Sequence, residues 1–368
     1  MYHSITVKNY RSFREFTGDG LARVSLIVGR NGVGKTSFLE AAELLAAKGS
    51  PRRFVDAMKR RGEVIEGMAE RSGEGEYPLV HLFHGHAVDF GAEILIEGSS
   101  EASEGERVSF KIVDMMGKMN IIPDTLPADH VLPSLMISSN SFLPVQLPLS
   151  SKYDFHLSDR VILDRRKVWR DLEASDFRTE YVSPNTAGWV ELNRLWGQVT
   201  LRPEQETVLE ALRVLQPRLE AINFIASFGD DASSASAQIT AKFKGEARPV
   251  PFGSLGDGMW RMLALSLALS QCRNGVLLVD EIGAGLHYST MSEVWESIIR
   301  TAQSLNAQVL ATTHSLDCIR ALAQVCELQP GLAEDVGVFR IEPSINGLVA
   351  YSREEIITAG VSEIEVRG

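Results

Sequence analysis

The sequence predicts an α/β fold: a mixed central sheet flanked by helices, with an antiparallel β lobe and a helical insertion. Three observations predict it. Residues 24–47 read as an apolar strand, a glycine-rich loop and a helix. Residues 276–315 read as strand, helix and strand, and a right-handed crossover lays the second strand parallel beside the first. Between them, residues 79–113 alternate apolar and polar positions among glycines and charges, the pattern of antiparallel strands.

Taken in order, Ser4–Val7 places Ile5 and Val7 in alternation, as an edge strand does, and residues 9–13 form a polar bend. Val24–Val28 then leads into Gly29-Arg30-Asn31-Gly32-Val33-Gly34-Lys35-Thr36. Gly29, Gly34, Lys35 and Thr36 fill the pattern G-x-x-x-x-G-K-[ST] in full. Lys35–Ala47 follows as a helix with Phe38, Leu39, Ala42, Leu45 and Ala46 on one face. A strand, loop and helix start of this kind gather backbone N–H groups around one anion, here those of Arg30, Asn31, Gly32, Val33, Gly34, Lys35, Thr36 and Ser37. Lys35 is expected to reach the β- and γ-phosphates of ATP, and the Thr36 hydroxyl to hold Mg²⁺.

Residues 48–61 carry Lys48, Arg52, Arg53, Lys59, Arg60 and Arg61, which suits either nucleic-acid phosphates or a solvated helix face. Leu79–Phe83, Ala92–Glu97 and Val108–Val113 read as strands. Pro123, Pro127, Pro133, Pro144 and Pro148 predict an irregular segment with one short strand, Leu135–Ser138. Asp159–Asp176 and Glu204–Ala226 read as helices, the second kinked or split at Pro217. Arg160, Arg165, Arg166, Lys167 and Arg170 interleave with Asp159, Asp164 and Asp171, as local ion pairs do. Trp169, Trp189 and Trp196 read as core or interface anchors, and Ala232–Ala237 as a flexible loop.

From residue 238 the α/β pattern is sharp. Ser254-Leu255-Gly256-Asp257-Gly258-Met259 opens a helix through Gln271 that is apolar nearly all round and so buried. Its glycine-rich start is a second anion-binding terminus, expected to meet a triphosphate from another subunit. Val276–Val279 ends in Asp280-Glu281, and a buried parallel strand ends at the ligand crevice. Asp280 suits Mg²⁺, and Glu281 suits the orientation and deprotonation of an attacking water. Helix Thr290–Leu305 carries an apolar stripe, and strand Val309–Ala311 then delivers Thr312-Thr313-His314-Ser315 to the same sheet edge. His314 is placed to donate a hydrogen bond to a γ-phosphate oxygen. Val338–Tyr351 reads as a hairpin turning at Asn346-Gly347, and Cys318 as a small core residue.

GRNGVGKT, SLGDGM, VLLVDE and TTHS, in that order, resemble the ABC-type ATPase heads of the SMC, RecF and OLD supergroup. ITVKNYRSF, GRNGVGKTSFLEA and VDEIGAGLHYS look like the OLD-like and abortive-infection-type ATPases in particular. The resemblance implies a P-loop NTPase that dimerises head-to-tail around two ATP molecules. Each nucleotide would lie between Lys35 and Thr36 of one subunit and the signature loop of the other, with Ser254, Gly256 and Gly258 as its residues. Gly283–Leu286 would face the dimer partner, and Arg11 would lie near the nucleotide. Two positions depart from the family pattern. Gly256 stands where the signature serine belongs, which implies slow turnover, and the metal-sensing glutamine has no clear match, with Gln146 and Asn140 as weak candidates. The nuclease domain of OLD proteins has no counterpart in the sequence.

These readings make the chain one head, with residues 1–48 and 236–368 as the nucleotide-binding core and 49–235 as an inserted β and helical lobe. The expected activity is ATP hydrolysis by a nucleotide-switched dimer or larger assembly, in phage defence or DNA surveillance, with a separately encoded effector such as a nuclease or toxin. The alternative is an ATP-gated DNA-binding clamp or scaffold with negligible hydrolysis, in a RecF-like repair role. A transporter motor is disfavoured by the long insertion and the poor signature. A net charge of −11 argues against a surface basic throughout but allows a local basic patch. Cys272, Cys318 and Cys326 form no C-x-x-C pair, which predicts a reduced cytoplasmic interior and no zinc site. No signal segment is read at the N-terminus and no apolar run is long enough to span a bilayer, so no membrane partner is expected.

Overall fold

The computed structural model describes residues 1–66, 75–100, 103–114, 133–150, 155–164, 178–184, 188–227 and 236–361. Its strands are β1 (Tyr2–Tyr10), β2 (Phe13–Asp19), β3 (Val24–Val28), β4 (Ile65–Glu66), β5 (Gly75–Pro78), β6 (Glu93–Ser100), β7 (Ser103–Asp114), β8 (Pro133–Ser139) and β9 (Phe142–Pro148). They continue as β10 (His156–Ser158), β11 (Thr179–Val182), β12 (Leu219–Ser227), β13 (Ser236–Phe243), β14 (Val250–Pro251), β15 (Val276–Val279), β16 (Gln308–Thr312), β17 (Val336–Glu342) and β18 (Gly347–Tyr351).

Twelve of these form one mixed sheet in the order β11-β15-β16-β3-β17-β18-β2-β1-β6-β7-β8-β9. β11, β15, β16, β3 and β17 are mutually parallel, β18 turns antiparallel to β17, and β2 through β9 continue as an antiparallel meander. The expected antiparallel lobe is therefore the far half of the sheet that carries the phosphate loop. The two faces divide the core by strand alternation. Val24, Leu26, Val28, Leu277, Val279, Val309 and Ala311 face helices Pro203–Leu215, Asp257–Gln271, Met291–Leu305 and Leu316–Leu328. Ile27, Val276, Leu278 and Leu310 face helix Lys35–Ala46 and share their cluster with Ile5, Ile94, Phe110 and Ile137 of the meander. Burial on both faces explains why β3, β15 and β16 read as unbroken apolar runs.

Residues 49–235 contribute to both halves. β11 is the outer strand beside β15, and Leu192, Leu195, Val208 and Leu212 join the cluster built around helix Asp257–Gln271. Packing thus carries the nucleotide half beyond the 1–48 and 236–368 segments.

Several expectations are corrected. β1 is an interior strand, paired with β2 and β6. Leu79–Leu82 is a turn of 3-10 helix, with Leu79 and Leu82 buried at the spacing one turn provides. The proline-bearing segment yields two strands, and β9, with Pro144 and Pro148, is the outermost of the sheet, where a missing N–H costs no ladder bond. Helix Pro203–Leu215 stops at Gln216, before Pro217, and Leu219–Ser227 is strand β12 paired with β13. Helix Trp189–Val199 was not anticipated. Asp159–Asp164 is helical, while residues 165–176 of that expectation, with Arg165, Arg166, Lys167, Trp169, Arg170 and Asp171, lie outside the described residues, as does most of 232–237. Trp196 is a core anchor stacked on Phe224, and Cys318 is buried.

The basic run is divided: Arg52, Lys59 and Arg61 are exposed, while Lys48, Arg53 and Arg60 are half-buried. It forms helix Pro51–Arg60, and Arg60 pairs with the Glu43 carboxylate while stacking 3.8 Å from the Tyr181 ring centroid. Arg53 lies 3.6 Å from Glu43 and donates to the Thr179 carbonyl at 2.8 Å, and Arg61 pairs with Glu40 at 2.8 Å. Glu40 and Glu43 are fully buried on the helix that follows the phosphate loop. Arg53, Arg60 and Arg61 therefore lock that helix to its neighbours, a role the sequence readings of the run did not include, while Arg52 and Lys59 keep the solvated face that one of them expected. Burial pushes the Glu43 carboxyl up, with Arg60 and Arg53 acting against that shift. Glu43→Ala strips both arginines of their shared counter-charge and is expected to lower unfolding stability by about 3–5 kcal/mol, measured as a shift of the urea midpoint.

Candidate nucleotide site

The parallel register brings the site together. Val279 of β15 lies opposite Ala311 of β16, and Thr312 lies opposite Ile27 of β3, so three strands deliver their carboxyl ends to one crevice. Gly29, Gly32 and Gly34 take φ of +148°, +80° and +108° and fold the loop back on itself. At Gly34 a Cβ would meet the Phe13 ring at 2.5 Å, so glycine is required by both backbone and space. The Lys35 ammonium closes the loop by donating to the carbonyls of Gly29 at 2.8 Å and Arg30 at 3.1 Å. Burial lowers its pKa, and the Glu281 and Asp280 carboxylates oppose that shift.

Thr36 and Asp280 are 244 positions apart, and the Thr36 hydroxyl donates to Asp280 Oδ2 at 3.0 Å. Asp280 Oδ1 accepts from the Thr312 hydroxyl at 2.6 Å. Thr312 Oγ1 in turn accepts from the Glu281 N–H at 2.9 Å. Glu281 sits at φ +50°, in the left-handed region that a non-glycine residue enters only when its surroundings hold it there. Its carboxylate lies 2.7 Å from His314 Nδ1 and accepts from the His314 N–H at 3.1 Å. The predicted set Lys35, Thr36, Asp280, Glu281 and His314 thus shares one crevice, with the backbone of Arg30, Asn31, Gly32, Val33 and Ser37 forming the loop and helix start around it. The oxygens of Thr36 and Asp280 are hard donors of the kind Mg²⁺ takes together with phosphate oxygens, so the residues present fit a magnesium nucleotide.

Other expected residues stand elsewhere. Arg11 is buried, and its guanidinium pairs with Glu40 and Glu63, both at 2.7 Å, so its charge is spent on carboxylates instead of a phosphate. Asn140 caps the turn between β8 and β9, bonding the Gly105 carbonyl at 2.9 Å, and Gln146 lies in β9. Both occupy the sheet end opposite β15, which removes them as metal-sensing candidates. On its outer side β15 is flanked by β11, which ends at Val182 with Ser183 following.

The helix start at Gly256 is present as expected, with Asp257 in its first turn. Gly256 has φ +88°, a conformation in which serine would be strained, so glycine here belongs to the backbone path itself. The Ser254 hydroxyl donates to the Pro251 carbonyl at 2.7 Å. Gly283–Leu286 follows the acids as a turn, held by the Ala284 N–H to the Glu281 carbonyl at 3.0 Å.

Two residues were missed as site members. Thr312 ties both acids together, and its signal was its place in the TTHS run. Arg261 lies inside helix Asp257–Gln271 and donates to the carbonyls of Asp280 and Glu281, each at 2.9 Å, and to that of Ser183. Burial pushes its guanidinium down to about 10, with Asp280 and Glu281 opposing the shift. In the sequence Arg261 is one cation in an otherwise apolar helix, without a visible partner.

Residues 1–124 match the family described as an AAA ATPase domain, and residues 156–317 match the family described as an AAA domain, putative AbiEii toxin, Type IV TA system. An ATP/GTP phosphatase of Helicobacter pylori is 20% identical over 346 residues, covering 88% of each chain. The human ATP-binding cassette sub-family A member 6 is 32% identical over 146 residues, which span 38% of this chain and 9% of that protein. An SMC head bound to the C-terminal winged-helix domain of ScpA aligns with 96% of this chain and 98% of its own at 13% identity and a TM-score of 0.47. One family match encloses the phosphate loop and the other the acidic strand and histidine turn that the fold brings against it, so both walls of the crevice fall within matches to AAA-type ATPase families.

Proposed function

We propose that the chain binds ATP with Mg²⁺, hydrolyses it, and is switched by it between open and closed states of a homodimer or larger assembly. The observation that carries the reading is the Thr36–Asp280 contact at 3.0 Å with the Glu281–His314 pair beside it. Thr36 and Asp280 would hold the metal, which when bound neutralises charge on the β- and γ-oxygens. Lys35 exchanges its two loop carbonyls for phosphate oxygens. Glu281 orients a water in line with the γ-phosphate and takes its proton. The ring contact supports a role for His314 in orienting Glu281, in addition to donating to the γ-phosphate. The helix start at Gly256 and Gly258, with Ser254 nearby, reaches the nucleotide of the opposite subunit through backbone N–H groups. Slow turnover follows from the absence of a hydroxyl at position 256.

The further proposal is a role in phage defence or DNA surveillance with a separately encoded effector; the family matched by residues 156–317, described as a putative AbiEii toxin of a Type IV TA system, supports a place in a system of more than one component. DNA is a possible partner and the cytoplasm the proposed location; no helix among the described residues is long and apolar enough to cross a membrane. A second reading, an ATP-gated clamp with negligible hydrolysis, is favoured by the backbone at Gly256. Phosphate release from Mg-ATP, with and without duplex DNA, separates the two. Steady release above a no-enzyme control is the expected result, while ATP-dependent dimerisation in sedimentation without release selects the clamp.

A further inference from the structure

We infer that Arg261 is a positioning residue: it sets the backbone of the acidic pair and couples it to the helix that meets the opposite subunit's nucleotide. The inference rests on the hydrolytic reading above and deepens it. Arg261 is 3% exposed, and its hydrogen bonds among the described residues go to carbonyls, those of Ser183, Asp280 and Glu281. Its Nε, also buried, has no hydrogen-bond partner among the described residues. The carboxylates of Asp280 and Glu281 are engaged by Thr36, Thr312 and His314. The guanidinium therefore acts on the main chain, bracing the carboxyl ends of β11 and β15 against one helix. One Nη spans the carbonyls of the 280–281 and 281–282 peptides, on either side of the Glu281 Cα.

That position matters because Glu281 is held at φ +50°. A side chain leaving the backbone from this conformation changes direction when the residue relaxes to an ordinary one, and Glu281 must aim at a single water. Its carbonyl has two donors, Arg261 Nη2 and the Ala284 N–H, which fix the peptide plane from opposite sequence directions. The helix carrying Arg261 also touches the turn after the acids at its own start. A Cβ on Gly258 would lie 3.2 Å from the Gly285 carbonyl oxygen. A shift of this helix when Gly256 and Gly258 engage the opposite nucleotide would be passed to the Glu281 backbone at two points, Arg261 and Gly285.

The test compares full-length wild type with Arg261→Met, which keeps bulk and removes the donors, and Arg261→Lys, which keeps charge on a compact head. For Arg261→Met, kcat is expected to fall about 10- to 100-fold while KM and the affinity for a fluorescent ATP analogue stay within about threefold. Arg261→Lys is expected to fall between the two. In a Glu281→Gln background Arg261→Met is expected to add less than about twofold, because the group it positions is already disabled. Amide exchange at residues 280–286 is expected to quicken about tenfold or more in Arg261→Met, with or without turnover. A folded Arg261→Met with kcat within about twofold of wild type, or with unchanged exchange at 280–286, overturns the inference. So does a parallel loss of kcat, affinity and thermal stability in both variants. Should Arg261→Met not fold, Arg261→Lys decides by the same readouts. Wild type without phosphate release counts against the hydrolytic reading alone, and the exchange experiment still tests Arg261.

Discussion

Glu281→Gln is expected to bind Mg-ATP as wild type does and to release phosphate about 10²- to 10⁴-fold more slowly. The amide keeps the volume and an oxygen acceptor for the His314 N–H, which holds the carboxylate at 3.1 Å in wild type, so the pocket survives. What is lost is the group able to take a proton from water as it attacks, and at about 1.4 kcal/mol per tenfold the barrier rises by about 3–5 kcal/mol. Binding is expected to be retained because the loop and Lys35, proposed to grip the phosphates, are untouched. The variant should accumulate the ATP-bound closed assembly, seen as a larger species in sedimentation with ATP. Single-turnover phosphate release beside titration of a fluorescent ATP analogue gives both numbers, and equal release rates in the two proteins would remove Glu281 from its role.

Lys35→Ala is expected to weaken nucleotide binding by about 100-fold or more, beyond what removal of one exposed cation would do. The ammonium is largely buried and donates to the carbonyls of Gly29 and Arg30. Its loss takes a charge-assisted contact from the phosphates and a clasp from the loop that presents the backbone N–H groups. Because Lys35 also faces Asp280 and Glu281, the variant leaves two carboxylates beside a triphosphate with one cation fewer. Calorimetric titration with Mg-ATP checks the expectation, alongside circular dichroism to show the fold intact. Micromolar affinity in a folded Lys35→Ala would count against the site.

The parts legible in the sequence were those whose chemistry is contained in a few neighbours. GRNGVGKT needs its glycines to bend and its lysine to face inward. The run Val276–Val279 announces burial on both faces, and its two acids fall where the strand ends. Thr312–Ser315 was placed correctly because a strand–helix–strand unit has one favoured hand. Where pattern alone was weak, errors followed. Leu219–Ser227 continued a helical-looking stretch, yet Pro217 ended the helix, and Leu219, Ile222 and Phe224 found their place against β13. Arg53, Arg60 and Arg61 looked like a surface because their partners, Glu40 and Glu43, lie on the apolar helix before them, facing its crowded side. Arg11, expected beside the nucleotide, pairs with Glu40 of the same helix and with Glu63.

By itself the sequence determined the phosphate loop, the acidic strand end, the histidine turn and the α/β class. Each follows from local backbone geometry and the period of apolar residues, which any chain must obey wherever it packs. Only the tertiary structure decided that β11 flanks β15, that the antiparallel strands continue the same sheet, that Asn140 and Gln146 stand at its far end, and that Arg261 grips the carbonyls of the acids. Those facts depend on which distant segments pay the desolvation of one another's polar groups. A buried cation or carboxylate must find its counterpart in space, and spacing along the chain carries no record of which one it will be.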